Sequence, residues 1–156
     1  MPVGCVAYGV NWMAGLKPGD ERFVPYGGGL GQAQLDWLEA ELAAAAAAEQ
    51  RVVIFSHVAV CPGACTDDCV LWNYEEVLRR IHAAGNTVVA VFAGHDHAGG
   101  YTRDAAGMHH VTLAAPLETP PPLPCHAVVE VHETALVLRG FGRLPSRLLP
   151  FPGSGD

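Results

Sequence analysis

Charge is scarce in this 156-residue chain: only 16% of residues are Asp, Glu, Lys or Arg, and the balance is acidic at −7. Nine Lys and Arg against sixteen Asp and Glu leave no basic footprint for a phosphate backbone, so no nucleic-acid partner is expected. A hydrophobic content of 50% argues against disorder. No apolar run approaches the roughly 20 residues that a membrane-crossing helix needs, so no membrane partner is expected. The N-terminus has no basic segment leading into an apolar one, so no secretory signal is expected and a cytoplasmic setting is the default. The odd set Cys5, Cys61, Cys65, Cys69 and Cys125 argues against a disulfide framework. The Cys61-x3-Cys65-x3-Cys69 spacing departs from zinc-ribbon pairs, and free thiols in a loop are the expectation. No Lys-Ser/Thr follows Gly27-Gly28-Gly29, which excludes a P-loop and leaves a turn into a helix.

The length is that of one domain. Residues 1–26 show no clear period and are expected to be poorly defined; residues 27–150 carry the domain and 151–156 a tail. A helix is expected over 31–50, with Leu35, Leu38 and Leu42 on one face. A second is expected over 74–84, capped by Asn73 with Glu76 three residues on. Strands are expected over 51–55, 87–92 and 108–113, with a hairpin from 126–131 and 135–138. Of His109 and His110, neighbours in a strand, only one is expected to point inward, with His110 bonding locally. His82, His126 and His132 read as surface residues.

The informative stretches are two apolar runs that end on histidine, Val52-Val53-Ile54-Phe55-Ser56-His57 and Val89-Ala90-Val91-Phe92-Ala93-Gly94-His95-Asp96-His97. Continuous Val/Ile/Phe runs read as strands covered on both faces. Ligands gather beyond the carboxyl ends of such strands, where His57, His95 and His97 fall. Imidazole is the commonest protein metal ligand, so these three residues form a candidate metal site, with Gly94 permitting a sharp turn. Asp67, Asp68, Asp96, Asp104 and Glu118 are available carboxylates, but no spacing places one of them between two metals. Asp96, between two candidate ligands, reads either as orienting a ring or as solvent-exposed.

Gly94-His95-Asp96-His97 and Ser56-His57 resemble the last two histidine motifs of calcineurin-like metallophosphoesterases. Arg22-Phe23-Val24, Gly27-Gly28-Gly29, Gln34-Leu35-x-Trp37-Leu38, Leu71-Trp72-Asn73-Tyr74 and Gly99-Gly100-Tyr101 narrow the resemblance to manganese-dependent ADP-ribose/CDP-alcohol diphosphatases, from about residue 21 to 143. The family's first half carries Asp-x-His, then Gly-Asp, then Gly-Asn-His-Asp/Glu, and this succession is absent. The resemblance therefore implies an α/β (α+β) fold, the C-terminal half of a metallophosphoesterase αββα sandwich. It implies hydrolysis of the pyrophosphate bond of a nucleotide-type substrate by two divalent ions, manganese with zinc or iron as alternatives. It also implies a missing N-terminal half that holds the bridging aspartate and the catalytic histidine, so no catalytic residue is identifiable in this chain. In the family, the counterparts of His57 and His95 bind one metal and that of His97 the other. Asn73 and Tyr101 are candidate substrate contacts. An inactive metal-binding remnant, or a single-zinc hydrolase built on the three histidines, remain alternative readings.

Overall fold

A computed structural model describes residues 20–153. Residues 1–19 of the segment expected to be poorly defined lie outside the described residues. Its last part, 20–26, is fixed to the domain. Val24 is fully buried, Arg22 pairs with Glu75 at 2.7 Å, and the Tyr26 hydroxyl donates to Asp68 Oδ2 at 2.7 Å.

Two helices, α1 (Gln32–Ala47) and α2 (Tyr74–Ala83), lie against a four-stranded sheet. That sheet contains β1 (Val52–Phe55), β2 (Val88–Ala93), β3 (Gly100–Arg103) and β4 (His109–Thr112), in the order β1-β2-β4-β3. The β1–β2 and β2–β4 pairs are parallel, and β3 is antiparallel to β4. A second, antiparallel sheet of β5 (Cys125–Val131), β6 (Ala135–Gly142) and β7 (Arg147–Pro150) packs on the other face. The mixed α/β fold is the expected one, seen here as helix, sheet, sheet.

Each layer contact has a core with a sequence cause. The helical spacing of Leu35, Leu38 and Leu42 sets these side chains against Val77 and Ile81 of α2 and Val88 and Val91 of β2. On the other side Val89, Phe92 and Val111 meet Leu136, Leu138, Leu149 and Phe151. The largely buried Arg80 side chain, paired with Glu76 on its own helix, ties α2 to α1 through ion pairs with Asp36 and Glu39.

Four expectations change. Among the described residues the first strand is not covered on both faces: β1 lies at the sheet's edge, half-buried until Phe55, which is 75% exposed, whereas all six residues of β2 are buried. Both His109 and His110 are buried, because β4 has cores on both faces. His109 Nε2 donates to the Pro150 carbonyl at 2.9 Å, so its Nδ1 accepts from the Tyr101 hydroxyl at 2.9 Å. His110 Nε2 donates to Asp104 Oδ2 at 3.0 Å, which also accepts from His82 at 2.8 Å. The Asn73 side chain makes no cap bond; it accepts from the Leu30 N–H at 3.0 Å and donates to the Leu30 carbonyl at 2.8 Å. Finally, β3 and β7 were not expected. β3 begins at Gly100, where an added Cβ would lie 2.3 Å from the Ala64 carbonyl oxygen, so this glycine lets the cysteine-bearing loop close on the sheet.

Candidate metal centre

The parallel pairing of β1 with β2 brings the ends of both apolar runs side by side. Ser56 N–H bonds to the Phe92 carbonyl at 3.0 Å, and Gly94 N–H to the His57 carbonyl at 3.0 Å. His57 and His95 therefore leave neighbouring strands at one level. His57 Nε2 lies 3.3 Å from His95 Nδ1, with the rings edge to face at 5.1 Å. The turn itself is made by His95 at φ 67°, not by Gly94, whose φ is outside the left-handed region. Histidine tolerates this conformation better than most residues, yet holding it requires a surrounding structure that fixes it.

Asp96 provides that fixing. Only 7% exposed, its carboxylate accepts from Thr66 N–H at 2.8 Å, Thr66 Oγ1 at 3.1 Å and Ala98 N–H at 2.9 Å. Every one of these bonds is to the protein, so Asp96 clips the histidine turn to the cysteine-bearing loop. Of the two readings of Asp96, the solvent-exposed one is overturned.

His97 departs from the other two. Its Nδ1 donates to Glu118 Oε1 at 2.9 Å, on the 3-10 turn Pro116–Glu118, and both side chains are exposed. Among the described residues no group of three or more His, Cys, Asp and Glu side chains converges as a metal cluster. The structure thus joins His57 with His95 and sets His97 apart. Of the spare carboxylates, Asp68 is engaged by Tyr26, Asp104 by His82 and His110, and Glu118 by His97. Asn73 is occupied by Leu30, and Tyr101 lies in the inter-sheet core with its hydroxyl on His109 and the Arg147 guanidinium 4.2 Å over its ring. Sequence reasoning passed over Tyr26, whose ring centroid is 6.0 Å from that of His95. It missed Glu118's link to His97 as well. Neither carries a sequence signal, since both reach the site across long chain separations.

Burial, followed by the neighbouring His57 and His97, pushes the His95 imidazole below its usual value. It is therefore neutral near pH 7, the form that ligates a metal. A separation of 3.3 Å suits two imidazoles sharing one ion, for which metal–nitrogen distances of about 2.0–2.1 Å are usual. Buried His95 Nε2 has no hydrogen-bond partner, which marks the ring as half of a larger arrangement. The donor set fits a divalent ion at His57 and His95. An open groove of about 410 Å³ runs from Phe55 and Phe92 past these histidines to Pro116. The free Cys61 and Cys65 thiols are pushed up to about 11 and about 12 by burial, so they are protonated near pH 7.

No protein-family model matches the chain. It is similar to a manganese-dependent ADP-ribose/CDP-alcohol diphosphatase of Arabidopsis thaliana, 40% identical over 136 residues, 87% of this chain and 43% of the relative. The Homo sapiens protein of the same name is 37% identical over 132 residues, 85% of this chain and 38% of the relative. Among solved structures, a dimetal phosphatase from Danio rerio superposes with a TM-score of 0.80 at 38% identity, over 83% of this chain and 41% of that one. The chain spans about two-fifths of the length of the relatives it matches.

Proposed function

Over most of its length the chain is a homologue of part of the manganese-dependent ADP-ribose/CDP-alcohol diphosphatases, and from that kinship we propose that it contributes the histidine-bearing portion of a two-metal pyrophosphatase site. The substrate class is a nucleoside diphosphate linked to a sugar or alcohol, cleaved at the pyrophosphate bond. The observation that carries the reading is the 3.3 Å approach of His57 Nε2 to His95 Nδ1 at the carboxyl ends of adjacent parallel strands. When bound, divalent manganese supplies the positive charge that activates a water and neutralises the phosphoryl oxygens.

The chain's own residues have positioning tasks. His57 and His95 hold one ion as neutral imidazoles. His97, with Nδ1–H held by Glu118, keeps Nε2 for a second ion, the arrangement in which a carboxylate fixes a ligand ring and raises its basicity. Asp96 holds the turn between them. Asp68, Asp96 and Glu118 already bond within the chain, and the further carboxylates that two adjacent cations require would come from outside the described residues. Free thiols and the lack, among the described residues, of a helix able to cross a membrane are in keeping with a cytoplasmic setting.

The test is Mn²⁺-stimulated hydrolysis of ADP-ribose, by the chain alone and by the chain co-produced with the part of the Danio rerio phosphatase it does not align with. Turnover in the second case, abolished by His95→Ala, is expected. Turnover by the chain alone would overturn the need for outside carboxylates. None in either case would overturn the activity and favour a catalytically inactive remnant.

A further inference from the structure

Four arginines of this acidic chain face carboxylates: Arg22 pairs with Glu75, Arg79 and Arg80 with Glu76, and Arg139 with Glu130. Arg143 and Arg147 do not. Among the described residues Arg143 donates from Nη1 to the Glu118 carbonyl at 3.0 Å, and the Arg147 guanidinium lies 4.2 Å over the Tyr101 ring. A guanidinium carries five N–H donors in a planar fork, so most of this donor capacity is left for solvent or a ligand.

The two arginines line one cavity of about 180 Å³. It lies between the sheets, with apolar walls from Val111 of β4 and Leu138 of β6 and, just beyond those strands, from Leu113 and Leu144. The turn that carries the arginines is fixed in place. Gly140 N–H bonds to Ser146 Oγ at 3.0 Å, Arg143 N–H bonds to the Pro124 carbonyl at 3.0 Å, and Leu144 is buried. A Cβ at Gly140 would overlap the Leu144 carbonyl, so the glycine lets this turn fold back onto β6. Two cations are thereby held beside an apolar pocket without any ligand, which lowers the ordering cost of binding one.

Size and lining select the ligand. The space is about six waters' share of liquid volume, too small for a nucleotide. Inorganic phosphate would satisfy the guanidinium groups but leave the valine and leucine walls without a partner. A carboxylate on a short apolar body meets both: its two oxygens match the guanidinium fork, and its body covers the walls. The cavity also borders the candidate metal centre. Leu113 lines the histidine groove as well, and the Glu118 that receives Arg143 at its carbonyl holds His97 by its carboxylate.

We propose that this cavity binds a small monocarboxylate with an apolar body, its oxygens on Arg143 and Arg147, and that its occupancy reaches His97 through the Arg143–Glu118 contact. Neither part depends on the proposed hydrolysis.

The test titrates sodium benzoate into the isotope-labelled, EDTA-stripped full chain at fixed pH and ionic strength, followed by amide chemical shifts. A dissociation constant of about a millimolar is expected for so small a ligand. The largest shifts should fall at Leu113, Leu138, Leu144 and Arg147, with smaller ones at Glu118 and His97. Arg143→Gln and Arg147→Gln should each weaken binding at least tenfold, with folding checked by far-UV circular dichroism. Arg51→Gln removes the same charge from an exposed arginine bonded to the Asn86 carbonyl, and should leave binding unchanged. Neutral benzamide and inorganic phosphate should each bind at least tenfold more weakly than benzoate. Benzamide binding as tightly would overturn the role of the two cations, and phosphate binding as tightly would overturn the apolar body. No saturable shift with benzoate, or shifts clustered away from the cavity, would overturn the site. Shifts confined to the cavity would overturn the link to His97. Should a glutamine variant lose its fold, the shift map of the parent chain and the benzamide comparison still decide.

Discussion

Replacing Asp96 by alanine should destabilise the chain although the residue lies in a loop. The carboxylate accepts three hydrogen bonds at 2.8–3.1 Å while only 7% exposed. Bonds to a charged acceptor are worth about 1.5–3 kcal/mol each, and an orphaned buried donor costs about 1–3 kcal/mol. Truncation orphans the Thr66 and Ala98 N–H groups. Their loss is offset by releasing a desolvated charge and by water entering a partly buried site. The net cost expected is about 2–4 kcal/mol, which moves a urea midpoint down by between about 1 and 3 M for a slope of about 1.5 kcal/mol/M. Thr66→Val removes the 3.1 Å hydroxyl bond to Asp96 together with the Thr66 side-chain bonds to Asp68 and Cys69 and should cost about 1–3 kcal/mol, with the two changes non-additive because they share the Thr66–Asp96 bond. Urea unfolding followed by far-UV circular dichroism measures both. Asp96→Ala within about 0.5 kcal/mol of the parent, the range of an ordinary surface substitution, would refute the clip. So would full additivity with Thr66→Val.

Ile81→Ala empties a position that is 1% exposed between α1 and the sheet and should cost about 2–5 kcal/mol in the same assay. Asn73→Ala should cost about 1–3 kcal/mol and raise exchange at the Leu30 amide, because it removes both Leu30 bonds. Acid should destabilise the fold through two buried imidazoles. Burial holds His109 and His110 below their ordinary value of 6.5, against the opposing pull of the Pro150 carbonyl on one and Asp104 on the other. The unfolded chain then takes up these protons first, so their contribution is present above about pH 6.5 and lost as pH falls from there towards the folded-state values. A urea midpoint level from pH 8 to 7 and falling below 6.5, with the fall reduced in His110→Asn, checks this. The Asp104 carboxyl adds a later loss below pH 3.8: burial would raise it, but bonds from His110, His82 and the Met108 N–H outweigh that and hold it down.

Much of this arrangement is legible in the sequence because it is written in local periodicity. Leu35, Leu38 and Leu42 repeat at helical spacing and are buried, and the apolar run 88–93 is a strand buried at every residue. That His57 and His95 lie at the carboxyl ends of strands followed from where those runs stop, whereas the mixed α/β fold and the pairing of the two histidines came from the family resemblance. What was not legible depends on neighbours. Nothing in Val52–Phe55 distinguishes an edge strand from a central one, since the difference lies in whether a third strand stands beside it. The first residue of β3 is a glycine, chosen for its close approach to Ala64, and so reads as a turn. Asn73 and Glu76 have the spacing of a helix start, but the amide finds Leu30, 43 positions away, instead of the first-turn N–H groups. His97 and Glu118 meet through a turn at Pro116–Glu118 for which the proline-rich stretch gives no geometry.

The central claim is that His57 and His95 share one divalent ion, and it is tested most directly by titrating Mn²⁺ into the EDTA-stripped full chain while counting bound ions by electron paramagnetic resonance. The account predicts binding at one site that is lost in His57→Ala and in His95→Ala alike, and retained in His82→Ala, whose ring serves Asp104 instead. Binding that survives both His57→Ala and His95→Ala, or no binding at millimolar Mn²⁺, would contradict it.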